Sequence, residues 1–429
     1  MTSLFRHPDF RRLWIGDTIS QAGTQLSLIA VPVIAVQTLN ADERSMGLLA
    51  ACENMAFLVV GLPAGAWVDR WRKRRVLIAN DLLRAAAFTT VPIAWALGGL
   101  TIWQLYVVSL IVSVGTVFFD VAYQSYLPAL VDGERLVEGN AKLEASRAVA
   151  QVGGPAAGGA LLRVLAGPLL IAADAVSFLV SAVMVGRIGL ADPPRTTGTR
   201  RPLRTEIAEG LVFVVRHPLL VRITACTSIS NFASGITGAM LVLYVLRELG
   251  LRTDAAGLVF ASWAAGGFIG AVTADRLARR VGEGRIIPVA QVVSAVAGIL
   301  LPLAAPLAPY VHPLVPLVVG GIVTGVGIVV YNITQVSFRQ RLCPPELLGR
   351  MNASIRFLVW GTLPLGSLAG GALGAAFGVA TALWVAVFAT FLAGVPVVWS
   401  PLLGMRSLPR TLDATADRDA DRESAPEGP

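Results

Sequence analysis

Glu53 is the lone charge in residues 46–68, and Asn54 stands beside it. Asp174 sits in another apolar stretch, residues 169–189, and Asp17 lies near the start of a third, close to Arg11 and Arg12. A carboxyl carried into apolar surroundings is costly to keep ionised, so it takes up and releases a proton as those surroundings change. Glu53, Asp17 and Asp174 are therefore the candidates for proton coupling. Each has a plainer role available: a structural hydrogen bond from Glu53 to a neighbouring helix, an ion pair for Asp17, a helix-start contact for Asp174. Asp81 and Arg84, three residues apart, share one helix face and pair locally or with the basic loop at residues 70–75. Glu144, Arg147 and Arg356 read as conformational salt bridges. Covalent chemistry has no such support. The three cysteines (Cys52, Cys226, Cys343) and three histidines (His7, His217, His312) lie scattered, with no CxxC pair. A P-loop, a nucleophile elbow, an HExxH helix and a kinase set are all missing from the sequence. No enzyme, cofactor, metal or ATP drive is expected.

The elements that must position these groups are membrane spans. Of 429 residues, 55% are apolar and 14% charged, with a mean hydropathy of +0.68; soluble domains run near 25% charged. A helix needs about 20 residues to cross the hydrocarbon core. Uncharged runs of that size cover residues 18–41, 85–119, 223–246, 255–274, 286–338 and 357–405. Disorder, a disulfide scaffold and a peripheral protein are excluded. The pattern predicts an all-α membrane protein of twelve spans: 13–38, 46–68, 76–97, 102–122, 145–166, 169–189, 220–246, 255–277, 286–305, 314–338, 353–376 and 379–400. Glu53 then lies ~10 Å from the outer edge of the second span, at 1.5 Å per residue.

Charge placement orients these spans. Of the 35 Lys and Arg, 28 fall on the side that holds residues 6–12, 70–75, 187–222 and both chain ends. Four (Arg44, Arg163, Arg247, Arg252) fall on the other, and Arg84, Arg147 and Arg356 lie in or beside spans. Positive charge marks the cytoplasmic side, so both termini are expected there. The net charge of +8 thus reflects topology, and nucleic acid is not an expected partner. Only two of the basic residues are Lys, which we read as a GC-rich bacterial coding bias, and hence a plasma-membrane location. The first apolar segment is too long for a cleavable signal and reads as a retained span.

The longest cytoplasmic stretch bisects the chain. Residues 1–190 form an N-terminal six-helix half, 191–219 a linker with an amphipathic helix over 203–215, 220–400 a C-terminal half, and 401–429 a disordered tail. The halves echo each other. Arg6-His7-Pro8 recurs as Arg216-His217-Pro218, and Gly47-Leu48 as Gly257-Leu258, both 210 residues on. Asp69-Arg70 recurs as Asp275-Arg276 at 206, and Gly158-Gly159 as Gly370-Gly371 at 212. Two repeated six-helix halves are a transporter architecture, with the substrate site between them near the midplane. Gln25, Gln151, Asn231, Trp263, Asn332, Gln335 and Trp360 are the candidate cavity residues.

Two motifs suggest how such halves would move. Gly65-Ala-Trp-Val-Asp69-Arg70, followed by Arg72 to Arg75, supplies a close-packing glycine, a helix-end carboxylate and a basic cluster. With Asp120, Asp275 and Arg276, it forms a candidate cytoplasmic latch in which Gly65, Asp69, Arg70, Arg74 and Arg75 act; a plain topogenic loop is the alternative. Gly154-Pro155-Ala-Ala-Gly158-Gly159 allows a kink and tight backbone contact within the fifth span. The Gly-x-x-x-Asp-Arg spacing resembles the cytoplasmic signature of the major facilitator superfamily, with Arg72 where Gly is usual. The Gly-Pro-x-x-Gly-Gly order resembles the antiporter signature of its drug-export branches. Phe10-Arg-Arg-Leu-Trp14, Phe119-Asp120, Asp174-Ala-Val-Ser-Phe178 and Glu346-Leu-Leu-Gly-Arg350 resemble the exporter family that includes macrolide efflux pumps and the enterobactin exporter. That resemblance implies the twelve-helix major facilitator fold and proton-coupled export of small amphipathic molecules by a monomer, with protons and the lipid bilayer as the other partners. An importer or uncoupled facilitator of the same fold is the alternative, and a non-transporting membrane scaffold or sensor the remote one.

Overall fold

A computed structural model describes residues 4–68, 70–131, 135–189, 211–343 and 348–405. All regular structure among them is helical. The helices are α1 (Pro8–Val33), α2 (Glu43–Val59), α3 (Gly61–Val68), α4 (Lys73–Ala96), α5 (Ile102–Leu130), α6 (Leu136–Leu161) and α7 (Gly167–Gly186) in the first half of the sequence. They are followed by α8 (Pro218–Leu243), α9 (Thr253–Val281), α10 (Ile286–Gly298), α11 (Leu300–Leu307), α12 (Leu314–Leu342), α13 (Leu348–Trp360), α14 (Thr362–Phe377) and α15 (Val379–Val398).

Three pairs, α2–α3, α10–α11 and α13–α14, are single rods with a break at Val60, Ile299 and Gly361. The cause is the same each time. Pro63, Pro302 and Pro364 stand three residues past the break, and each lacks the N–H that would reach the last carbonyl of the preceding helix. Counting such a pair as one rod leaves twelve rods among the described residues. Ten candidate spans are long and apolar enough to cross a membrane. The rod from Glu43 is interrupted after 17 residues, and α6 carries Glu138, Lys142, Glu144 and Arg147 in its first turns. Both still pack within the bundle. Several rods overrun the hydrophobic stretch. α5, α9 and α12 have 29 residues each, ~44 Å at 1.5 Å per residue, against ~30 Å of hydrocarbon.

The Arg-His-Pro repeat is a helix-start device used twice. His7 caps α1 and His217 caps α8; in each case Nδ1 accepts the N–H of the third residue on, Phe10 and Leu220, at 3.3 Å. Pro8 and Pro218 take the first helical position, where no N–H is needed. Burial pushes the His217 imidazole below its ordinary range, in keeping with its acceptor role. Asp42 caps α2, and hydrogen bonds from Ser45 hold its carboxyl below the usual carboxylate range.

Within the first half of the chain α1 packs on α6 and α7, and α4 on α5 and α7. In the second half α8 packs on α14 and α15, and α9 on α12. The two halves meet mainly through α2 against α14 and α6 against α9. The amphipathic stretch expected over 203–215 lies mostly outside the described residues; residues 211–216 are helical, and Val214 is buried beside Leu219 and Leu220. Of the tail expected to be disordered from residue 401, the first residues are described. Pro401–Gly404 is a short turn whose Leu402 is buried against the bundle, and the rest of that tail lies outside the described residues.

Candidate functional site

Among the described residues, each half of the sequence lines a cavity inside the bundle. The first, about 240 Å³, is walled by α1, α2, α4, α5 and α7 and brings Glu53, Asn54 and Asp174 together. Asp174 is fully buried. Ser27 donates to its Oδ2 at 2.6 Å, and Ser177 to its Oδ1 at 2.8 Å. That approach depends on Gly23, where a Cβ would stand 2.3 Å from Ser177 Oγ and 2.5 Å from Asp174 Oδ1. Beneath the cavity, Arg84 pairs with Asp81 at 2.5 Å. Its guanidinium lies 4.5 Å from the Phe119 ring centre and 4.2 Å from that of Phe178, a cation held between two aromatic faces. Gly115 makes room for its stem. Ser27 and Gly23 are neighbours that the sequence does not single out; the signals for the rest were the i,i+3 spacing of Asp81 and Arg84 and the quoted motifs that hold Phe119 and Phe178. Asp17, the third proton candidate, stands apart from this cavity and interacts with Gln21 and Arg147.

The second cavity, about 320 Å³, is walled by α8, α9, α10, α11, α12 and α15. Asn231, Trp263 and Asn332 line it. Asn231 donates to Val359 O at 2.9 Å. The other cavity candidates lie elsewhere. Gln335 is buried outside the lining, with Oε1 unpartnered. Gln25 packs its stem against Gly154, and Gln151 is exposed. Trp360 lies tilted against Phe57, 5.0 Å between ring centres, and Phe57 lines the first cavity.

The repeat offsets superimpose one cavity on the other. At 210 residues Ser27 corresponds to Thr237 and Glu53 to Trp263; at 212 Asp174 corresponds to Ala386 and Phe178 to Thr390. Every one of these residues lines the cavity of its own half. The two cavities therefore stand at corresponding positions of the repeat, and of these paired positions only those in the first half carry carboxyls.

At the arginine-poor end the halves are in contact. Gly47 meets Gly371 and Gly159 meets Gly257, so close that a Cβ on any of the four would fall within 3 Å of facing backbone. The offsets of 210 and 212 turn one contact into the other. Arg163 pairs with Asp254 at 3.1 Å beside the second crossing, and Arg247 donates to Val36 O at 3.3 Å. Of the antiporter-like motif, Gly154 and Gly158 face α1 through Gln25 and Leu26, while Pro155 and Gly159 face Gly257.

At the arginine-rich end Arg74 and Asp275 have contacts within their own half. Arg74 donates to the carbonyls of Val185 and Gly186 at the end of α7. Asp275 pairs with Arg279 one turn along α9. Arg70, Arg75 and Arg276 are exposed, and Arg75 lines an open groove with Trp71 and Arg72. A Cβ on Gly65 would meet nothing within 4 Å, so no close helix approach depends on it here. Asp69 lies outside the described residues. Asp120 interacts with Arg147 and Arg84, and with Arg356 from the other half.

The profile of the Major Facilitator Superfamily matches residues 13–363 and, overlapping, 223–421. The multidrug efflux pump Tap of Mycobacterium tuberculosis is 28% identical over 424 residues, 94% of each chain. The enterobactin exporter EntS of Citrobacter koseri is 27% identical over 309 residues, 69% of this chain and 70% of its own. The crystal structure of a bacterial homologue of the iron transporter ferroportin, in its inward-facing state, shares the fold with a TM-score of 0.73 at 19% identity, over 92% of this chain and 99% of that one. The helical bundle and the profile agree across most of the length: the chain belongs to the major facilitator superfamily.

Proposed function

We propose that this chain is a plasma-membrane exporter of small amphipathic molecules, working by alternating access and driven by proton exchange at Glu53 and Asp174. Both termini and the arginine-rich loops face the cytoplasm, where 28 of the 35 basic residues then stand. The moving bodies are residues 1–190 and 220–400, joined by the linker 191–219, with 401–429 as a cytoplasmic tail. The observation that carries the reading is the pair of glycine crossings, Gly47–Gly371 and Gly159–Gly257, which close the outer end. At the inner end Arg74 and Asp275 have contacts within their own halves, in keeping with rocking about a central site. In the opposite state Asp69, Arg70 and Asp120 close the inner end with the Asp275–Arg276 copy. The export direction is supported by the relatives named for efflux.

Everted vesicles test this. Ethidium should accumulate in vesicles carrying the protein when their interior is acidified, and nigericin should abolish the accumulation. Glu53→Gln should lower the initial rate at least tenfold. A Glu53→Gln protein that accumulates ethidium normally removes Glu53 from the coupling step. Accumulation that ignores nigericin removes proton exchange altogether.

A further inference from the structure

We infer that the second-half cavity is a binding site for an uncharged, hydroxyl-rich ring, a glycosyl or cyclic polyol group carried by the exported molecule. The inference rests on the export reading and adds to it the class of cargo. Among the described residues no Asp, Glu, Lys, Arg or His lines this cavity, although the matching positions in the first half hold Glu53 and Asp174. A charged group placed there would find no counter-ion, and desolvating it unpaired is prohibitive.

The lining is nevertheless rich in hydrogen-bonding side chains. Some are already used. Thr390 and Ser294 bond carbonyls of their own helices, and Gln291 bonds Ser230 and Thr390 O. Ser234, Thr324 and Asn332 point into the cavity and have no partner in the protein among the described residues. Together they supply two hydroxyls and one carboxamide, able both to donate and to accept. Ser234 and Asn332 are exposed and Thr324 is half-buried, so all three are accessible to a ligand that enters the cavity. Trp263 adds a flat apolar face, its ring edge-on to Phe260 with 5.7 Å between ring centres. It stands ten residues into α9, ~15 Å along the helix and so near the midplane of the bilayer. A polyhydroxylated ring matches this lining, with an apolar face for the indole and hydroxyls around its rim. A hydrocarbon would leave the three polar groups unanswered.

Two glycines allow the cavity to be filled without disturbing the packing around it. Gly238 and Gly298 line it, and a Cβ on either would meet nothing within 4 Å. Binding can be read on the full-length protein in nanodiscs by equilibrium dialysis, following nitrophenyl absorbance. 4-Nitrophenyl β-D-glucopyranoside should bind saturably and about tenfold or more tighter than cyclohexyl 4-nitrophenyl ether, the same probe without hydroxyls. Gly298→Leu, Gly238→Leu and Asn332→Leu should each weaken the glucoside about tenfold or more at an unchanged thermal midpoint. Arg341→Gln, at an exposed ion pair, should stay within twofold. No saturable glucoside binding, equal binding of the ether, or glucoside binding indifferent to Gly298→Leu and Gly238→Leu would each overturn the inference. The assay uses no gradient and no flux. A protein that pumps ethidium through Glu53 but ignores the glucoside refutes this inference alone; one that binds the glucoside but cannot pump refutes only the export reading.

Discussion

Asp174 illustrates what a carboxyl needs in order to stand inside this bundle. It has two hydroxyl donors within 2.8 Å and a helix, α1, brought close enough by Gly23 to deliver one of them. Hydrogen bonds to a charged group contribute about 1.5–3 kcal/mol each, so the position of α1 and the state of Asp174 are coupled. Gly23→Ala must push Ser177 and Asp174 aside, at a cost of about 1–3 kcal/mol for overpacking. The expected result is a lower thermal midpoint of the purified protein. Gly65→Ala, where the added methyl meets nothing within 4 Å, should leave the midpoint unchanged. Equal effects of the two substitutions would show that glycine content, not the contact at Gly23, governs stability here. Residue type and hydropathy alone were enough to single out Glu53 and Asp174, because a charge in an apolar run is conspicuous. They were not enough to separate Asn332, which lines a cavity, from Gln335, which does not. Three residues along a helix is nearly one full turn, and only packing against α9 and α10 settles which side chain meets open space.

At the scale of helices, proline and glycine set the geometry. Three prolines break three rods at the same relative position, and four glycines let two pairs of rods cross with backbones touching. The glycine repeats were legible in the sequence as recurring pairs at nearly one offset. Their meaning was not, because a repeat within one half gives no sign that it meets its counterpart in the other. α6 was read as starting near residue 145, whereas the helix begins at Leu136; hydropathy finds the hydrocarbon boundary, and the helix runs on into water. The crossings make a prediction. In Gly257→Ala the new methyl would stand 2.5 Å from Pro155 O and 2.9 Å from Gly159 Cα, neither of which can yield without moving α6. The same holds for Gly47→Ala against Gly371. Either substitution should destabilise the state closed at this end by about 1–3 kcal/mol, a shift of about 5- to 150-fold in the conformational equilibrium. Spin labels at Arg44 and Phe377, both near the arginine-poor end, should report a longer distance population in double electron–electron resonance. An unchanged distance distribution would mean that the crossings do not hold this end shut.

Across the whole molecule, the two halves share a plan and differ in chemistry. Each half holds a cavity, several of whose lining positions correspond through the repeat, and the carboxyls occupy only the first. In the second, an indole replaces Glu53 and a methyl replaces Asp174. The first half also holds the buried Asp81–Arg84 pair, whose counterparts at the offset of 206 are Ile287 and Ala290. On the proposed reading the tasks are separated, with ion chemistry in one half and cargo recognition in the other, coupled by rocking of the halves. Such separation has a measurable consequence in liposomes loaded with pyranine. Ethidium addition to the wild-type protein should change the lumenal pH. In the Glu53→Gln/Asp174→Asn double variant the signal should vanish, with no remainder from the second half. In Trp263→Ala the pH change elicited by ethidium should keep its size, since the proton sites are intact and the uncharged lining of the second cavity holds no partner for a cation. A residual signal in the double variant would put a proton site elsewhere, with Asp17 and Asp120 as the next carboxyls to test. A loss of maximal amplitude in Trp263→Ala would mean that the two halves share the ion chemistry, and that the asymmetry of the cavities divides no labour between them.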